Sequence, residues 1–133
     1  MDMLTSGVDM IEIARLEQSV ARHGQRFLDR VFTPQEQAAC AGRAASLAGR
    51  FAVKEAVAKA LGTGIGDVGW TDVEVVVRAK NGRPELVLHG QAQQLAAQLG
   101  LHEWSISISH TENLAIGLAV AMGQQQQNEE RDE

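Results

Sequence analysis

The stretch "LAGRFAVKEAVAKALGTGIG", residues 47–66, constrains this chain more than any other. It predicts a helix over about 44–61 that is apolar almost all the way round and runs into Gly62, Gly64 and Gly66. At about 100° per residue, Glu55 lies within about 60° of Ala48, Phe51 and Ala58, so its carboxylate starts from an apolar face. An unpaired carboxylate buried there costs several kcal/mol, and needs a cation, a metal or a raised pKa. Lys59, four residues on, is the plainest partner, although such a helix ion pair contributes only a few tenths of a kcal/mol.

The glycines invite comparison with a phosphate cradle, but the polarity is reversed. In a P-loop, glycines precede a helix whose positive end holds the anion; here they follow the helix, at its negative end. Lys54, Lys59 and a bound cation would have to hold any phosphate nearby. The alternative is that Gly62 simply ends the helix and residues 63–66 turn the chain.

Around this helix the pattern is that of one α+β domain, 1–122, with a polar tail, 123–133, expected to be disordered. "MLTSGVD" predicts a first strand over 3–9. Ile11, Ile13, Leu16 and Val20 predict an amphipathic helix over 11–23, stopping by Gly24, with a short helical piece after it. "TPQE" is a capping box, with Thr33 as the cap, Pro34 in the first turn and Glu36 three residues past the cap. Asn81-Gly82, between two apolar runs, predicts a hairpin closed by a type I′ turn. "GQAQQLAAQLG" predicts a short helix. "WSISIS" alternates Trp104, Ile106 and Ile108 against three serines, and His110 then leads a turn into the final strand.

Composition narrows the function. The longest apolar run, 114–122, is far short of the ~20 residues that span a bilayer, and no signal pattern opens the chain; a cytoplasmic, membrane-free protein is expected. Cys40 is the sole cysteine, which excludes an intrachain disulfide; it reads as a small buried hydrophobe rather than a catalytic thiol. Most of the net charge of −5 sits in the tail. Against the near-neutral body, Arg15, Arg22, Arg26 and Arg30 form a basic cluster. With 4% aromatic residues and no tyrosine there is little to stack on bases, so no nucleic-acid partner is expected.

Asp9, at the predicted end of the first strand, is the natural second carboxylate. Two carboxylates from separate elements, with phosphate oxygens and waters, suit Mg²⁺. Asp9 could equally cap the helix that follows. His110 stands at a strand end where it can reach a site, and His23, His89 and His102 share no zinc-ligand spacing with it.

Taken together, "GVD" at 7–9, residues 47–66, "NGRPEL" at 81–86 and "SISISHTENLAIGLAV" at 105–120 resemble the holo-acyl-carrier-protein synthase family, the short-type 4′-phosphopantetheinyl transferases, over about residues 4–121. The resemblance implies that family's fold, a small antiparallel sheet packed with helices. It also implies a homotrimer with active sites at subunit interfaces, which would enclose the long helix.

The implied activity is Mg²⁺-dependent transfer of 4′-phosphopantetheine from coenzyme A to a serine of apo acyl carrier protein, releasing adenosine 3′,5′-bisphosphate and supporting fatty acid or polyketide biosynthesis. By the same resemblance Asp9 and Glu55 hold the metal, and Glu55, Lys59 and His110 are catalytic. Arg50, Lys54, Lys59, Gly62, Gly64, Asn81, Gly82, Arg83, Pro84, His110 and Thr111 border coenzyme A. The proton acceptor is either Glu55 or a metal-linked water.

The family docks its carrier protein on the first helix. Taken as one continuous helix, Arg15, Arg22 and Arg26 would line one face as a basic stripe, secure only for the first pair if Gly24 breaks it. The chain departs from the family with "TSG" at 5–7 in place of "GIG", and with Ala58 at a frequent serine. Rival readings are a non-catalytic coenzyme A-binding module, which would lack one of Asp9, Glu55 or Lys59, and a basic-patch nucleic-acid binder, which leaves those residues idle.

Overall fold

The computed structural model describes residues 2–78 and 81–124. In chain order it contains β1 (Asp2–Glu12), α1 (Ile13–His23), α2 (Gln25–Val31), α3 (Pro34–Cys40), α4 (Ala44–Ala60), β2 (Val73–Val77), β3 (Pro84–Leu88), α5 (Gly90–Gln98), β4 (Leu101–His110) and β5 (Leu114–Gln124). β1, β5 and β4 form an antiparallel sheet in that order, and β2 pairs with β3 in a separate hairpin. This is the expected α+β architecture.

Helix α4 runs across the inner face of the three-stranded sheet and is buried on nearly every side. A helix apolar almost all round has little to give to water, and beyond its first turn this one leaves only the strip of Phe51, Glu55 and Lys59 partly open. Its approach is backbone to backbone. A Cβ on Gly7 would fall 1.9 Å from the carbonyl oxygen of Ala56, and one on Gly117 would fall 2.4 Å from the Val53 nitrogen. Small side chains line the same contact, with Ala52 and Ala56 on the helix and Ala115 and Ala119 on β5 all fully buried. Thr5, where the resembled family has glycine, donates its hydroxyl to the Ala60 carbonyl at 2.8 Å and satisfies one of the free acceptors at the helix end.

Two apolar clusters flank α4. One joins Val57 and Leu61 to Val73, Val75, Ala92 and Ile106. The other joins Leu47 and Ala48 to Ile13, Leu16, Val31 and Phe32. The capping box forms as the sequence predicts: Thr33 Oγ1 accepts from the Glu36 nitrogen at 3.1 Å, and Glu36 Oε1 accepts from the Thr33 nitrogen at 2.9 Å.

Several expectations need correction. β1 continues past Asp9 to Glu12, because residues 2–12 pair in unbroken register with β5; Asp9 lies mid-strand opposite Gly117 and caps no helix. Gly24, at φ 59°, ends α1 where the sequence predicts, so of the basic stripe only Arg15 and Arg22 share a helix and Arg26 lies on α2. The β2–β3 hairpin exists, but its connection spans residues 78–83, too long for a two-residue turn. Gly82 has positive φ there and Asn81 does not; the Asn81 side chain accepts from the Arg83 nitrogen at 2.9 Å. β5 runs to Gln124, so residues 123 and 124 belong to the sheet. The rest of the expected tail, 125–133, lies outside the described residues.

The helix–sheet contact leaves no room for a methyl group. Gly117→Ala is expected to lower stability by about 2–3 kcal/mol, read as a shifted urea midpoint with an unchanged slope.

Candidate active site

Asp9 comes from β1 and Glu55 from α4, and both line one cavity of about 410 Å³ with Arg15, Ser19, Phe27 and Phe51. Glu55 is half-buried. Burial, and then the nearby Asp9 charge, raise its pKa, while Lys59 opposes the rise. Lys59 is not the ion-pair partner of Glu55 that spacing alone suggested. Its ammonium reaches over to β1, donating to Asp9 Oδ1 at 3.1 Å and to the Val8 carbonyl at 2.9 Å.

The glycines take their structural role first. Gly62 has φ 79°, its nitrogen donates to the Lys59 carbonyl, and the Thr63 nitrogen donates to the Ala58 carbonyl. This is the double hydrogen-bond cap that a left-handed glycine permits. Open space surrounds the Cβ directions of Gly62 and Gly64.

Lys54 and Arg50, expected to border an open cleft, are enclosed between α3 and α4. Lys54 is 0% exposed, and its ammonium donates to Glu36 Oε1 at 2.8 Å, to the Trp70 carbonyl at 3.1 Å and to the Val73 carbonyl. All three of its protons are committed. Burial lowers the Lys54 pKa, and the Glu36 charge and hydrogen bond oppose that. Glu36 also accepts from the Val75 nitrogen at 2.9 Å, so this carboxylate ties together α3, α4 and β2. Arg50 is 6% exposed and lies beside Cys40, with its Nε unpartnered among the described residues. Burial pushes the fully enclosed Cys40 thiol up, which fits an inert packing role.

The remaining candidates lie elsewhere. His110 ends β4, exposed, its ring 3.3 Å from the Thr111 carbonyl. It pairs with Ala115, which pairs in turn with Ile11, so His110 stands two strands, roughly 10 Å, from β1. Thr111 forms the β4–β5 turn, its hydroxyl accepting from the nitrogens of Asn113 and Leu114. Asn81, Arg83 and Pro84 line a second cavity, about 390 Å³, with Trp104 and Ser105; Gly82 shares their turn. One chain therefore brings together Asp9, Glu55, Lys59 and Arg15, and leaves the 81–84 turn and His110 apart from them.

Arg15 opens onto the first cavity, while Arg26 lines another with His23, Phe27 and Arg30. None of Arg15, Arg22, Arg26 or Arg30 forms an ion pair among the described residues. Asp29, a plausible partner in sequence, accepts instead from Gln25 and Gln37.

Sequence reasoning missed Phe27 and Phe51 as walls of the cavity, and it missed Glu36 as the partner of Lys54. The capping box signalled Glu36 only as a cap.

The donor set fits Mg²⁺. Two carboxylates converge beside solvent, and a cation, the Lys59 ammonium, already stands on one of them. The described residues hold no group of three or more His, Cys, Asp or Glu, so phosphates and waters would complete an oxygen shell.

A sequence profile described as the 4′-phosphopantetheinyl transferase superfamily matches residues 6–119. The chain belongs to that superfamily. A holo-[acyl-carrier-protein] synthase of Moorella thermoacetica is 51% identical over 121 residues, covering 89% of this chain and 93% of the relative. One of Herpetosiphon aurantiacus is 48% identical over 128 residues, covering 91% and 100%. Among solved structures, the Helicobacter pylori holo-[acyl-carrier-protein] synthase in complex with coenzyme A is 33% identical with a TM-score of 0.79, over 87% of this chain and 98% of that one. A Bacillus anthracis holo-(acyl-carrier-protein) synthase in complex with CoA (3′,5′-ADP) is 31% identical with a TM-score of 0.73, over 90% and 96%.

The Lys54–Glu36 pair separates structure from chemistry. Lys54→Met strands a buried carboxylate and is expected to cost about 3–5 kcal/mol by chemical denaturation. Lys54→Met with Glu36→Gln should recover most of that loss.

Proposed function

We propose that this chain transfers 4′-phosphopantetheine from coenzyme A to a serine of apo acyl carrier protein, using Mg²⁺ held by Asp9 and Glu55. The observation that carries the reading is the convergence of those two carboxylates at one open cavity, with the Lys59 ammonium on Asp9. The relatives named for this activity, and the solved relatives bound to coenzyme A, support it.

In the reaction the serine oxygen bonds to the phosphorus that carries pantetheine. The bond from that phosphorus to the bridging anhydride oxygen breaks, a proton is released, and adenosine 3′,5′-bisphosphate leaves. Mg²⁺, when bound, supplies charge neutralisation on the pyrophosphate. Lys59 supplies a second cation, mobile on a side chain 54% exposed. Phe27 and Phe51 wall the cavity and limit water around the reacting phosphate. Arg15, at the rim, and Arg22, on the same helix, steer an acidic carrier protein toward it.

The active form is a homotrimer. Leu4, Val8 and Met10 on β1 stand exposed on the outer sheet face, directly opposite Met122, Leu118 and Ile116 on β5. Leu4 alone is 72% exposed. Apolar pairs on one face, interrupted only at Ser6 opposite Val120, are what a subunit interface leaves bare in a single chain. The separation of the 81–84 turn and His110 from Asp9 supports a site completed by a neighbouring copy. Cytoplasmic residence accords with this chemistry, and no helix among the described residues is long and apolar enough to cross a membrane.

Incubation with coenzyme A, Mg²⁺ and apo carrier protein should add one phosphopantetheinyl group, read by mass. Chelation of the metal, Asp9→Asn or Glu55→Gln should each lower the rate about 100-fold or more while far-ultraviolet dichroism stays native. Near-normal transfer by either variant removes that residue from the metal site. Reversing Arg15 and Arg22 to Glu should weaken use of the carrier protein, less so as salt rises, with coenzyme A affinity unchanged.

For the assembly, Leu118→Asp should give monomers by light scattering and abolish transfer. A trimer that survives this change moves the interface elsewhere.

A further inference from the structure

In the free chain the Lys59 ammonium rests on the Asp9 carboxylate that a metal at this site would also draw on. It bridges Asp9 Oδ1 at 3.1 Å and the Val8 carbonyl at 2.9 Å. Glu55, one turn earlier on the same helix, has no ion-pair partner among the described residues. We propose that Lys59 is a built-in competitor for the metal: it holds Asp9 until a divalent cation displaces it, and displacement frees the ammonium for the phosphates of the substrate. The inference rests on the reading of Asp9 and Glu55 as the metal-holding pair.

Charge sets the two occupants against each other. A divalent cation held on the Asp9 carboxylate would repel an ammonium resting on the same group. The Val8 carbonyl gives that ammonium a second acceptor, so its resting place is defined by two elements of the fold rather than by one charge. Displacement is nonetheless easy, because the Lys59 side chain is 54% exposed and exchanges protein acceptors for water or phosphate at little cost.

Coupling between ligands follows. Metal and pyrophosphate each favour the state in which Lys59 has left Asp9, one by taking the carboxylate and the other by taking the ammonium. Each therefore raises the affinity for the other. A chain built this way binds metal weakly alone and firmly once a phosphate-bearing substrate is present.

The test is a titration of Mn²⁺ into the full chain, with free ion read by electron paramagnetic resonance, in the absence and presence of coenzyme A. Without coenzyme A, Lys59→Met is expected to bind Mn²⁺ about two- to fivefold more tightly than the parent chain. Coenzyme A should tighten Mn²⁺ binding less in Lys59→Met than in the parent. Unchanged or weaker Mn²⁺ binding by Lys59→Met, when Asp9→Asn abolishes binding as the metal reading requires, overturns the competitor role alone. Parent-like Mn²⁺ binding by Asp9→Asn overturns the metal reading and this proposal with it.

Discussion

The contact of α4 with the sheet, backbone against backbone at Gly7 and Gly117, is the constraint on which the rest of the molecule depends. Gly117 lies directly opposite Asp9 on the neighbouring strand, and the added Cβ at Gly117 would strike α4 at Ala52 and Val53, one turn or less before Glu55. The same close approach that packs the core therefore sets how far Glu55 stands from Asp9. A larger residue at either glycine would push the helix outward and carry Glu55 and Lys59 with it. Thr5 clips the far end of the helix to the same strand, so β1 grips α4 along its C-terminal half.

Lys54 and Glu55 are neighbours in sequence, yet their side chains leave the helix about 100° apart and enter opposite environments. Lys54 goes to the interior, where an ammonium is tolerated only with every proton bonded, and Glu36 with two carbonyls supplies those bonds. Glu55 goes to the cavity wall, where burial raises its pKa and its nearest cation is engaged with Asp9. The first charge is consumed in holding α3, α4 and β2 together. The second has no ion-pair partner among the described residues, and so keeps capacity for a cation from outside. This contrast divides structural from chemical charge within one turn of helix.

The outer sheet face completes the logic. Its inner side is filled by α4, so the alternation of each strand sends every second residue outward, and on β1 and β5 these include Leu4, Val8, Met10, Ile116, Leu118 and Met122. The exposed rows and the two separate cavities are the features that the proposed homotrimer would bring together.

Much of this was legible in the residues. The all-apolar helix, the capping box at Thr33 and the alternation of "WSISIS" follow from periodicity and capping chemistry, and they need only local geometry. What failed was whatever depends on a partner distant in sequence. Lys54 reads as a cleft residue until Glu36 is brought to it, and Asn81-Gly82 reads as a tight turn until strand register places Val77 against Pro84. Lys59 reads as the i+4 partner of Glu55 until β1 offers Asp9 and Val8 at hydrogen-bond distance. Spacing along a chain determines which side chains share a face, because helix and strand periods are fixed by backbone sterics. Which charge meets which is decided only when the elements pack, because a hydrogen bond is worth having only at about 3 Å and tertiary packing alone sets that distance.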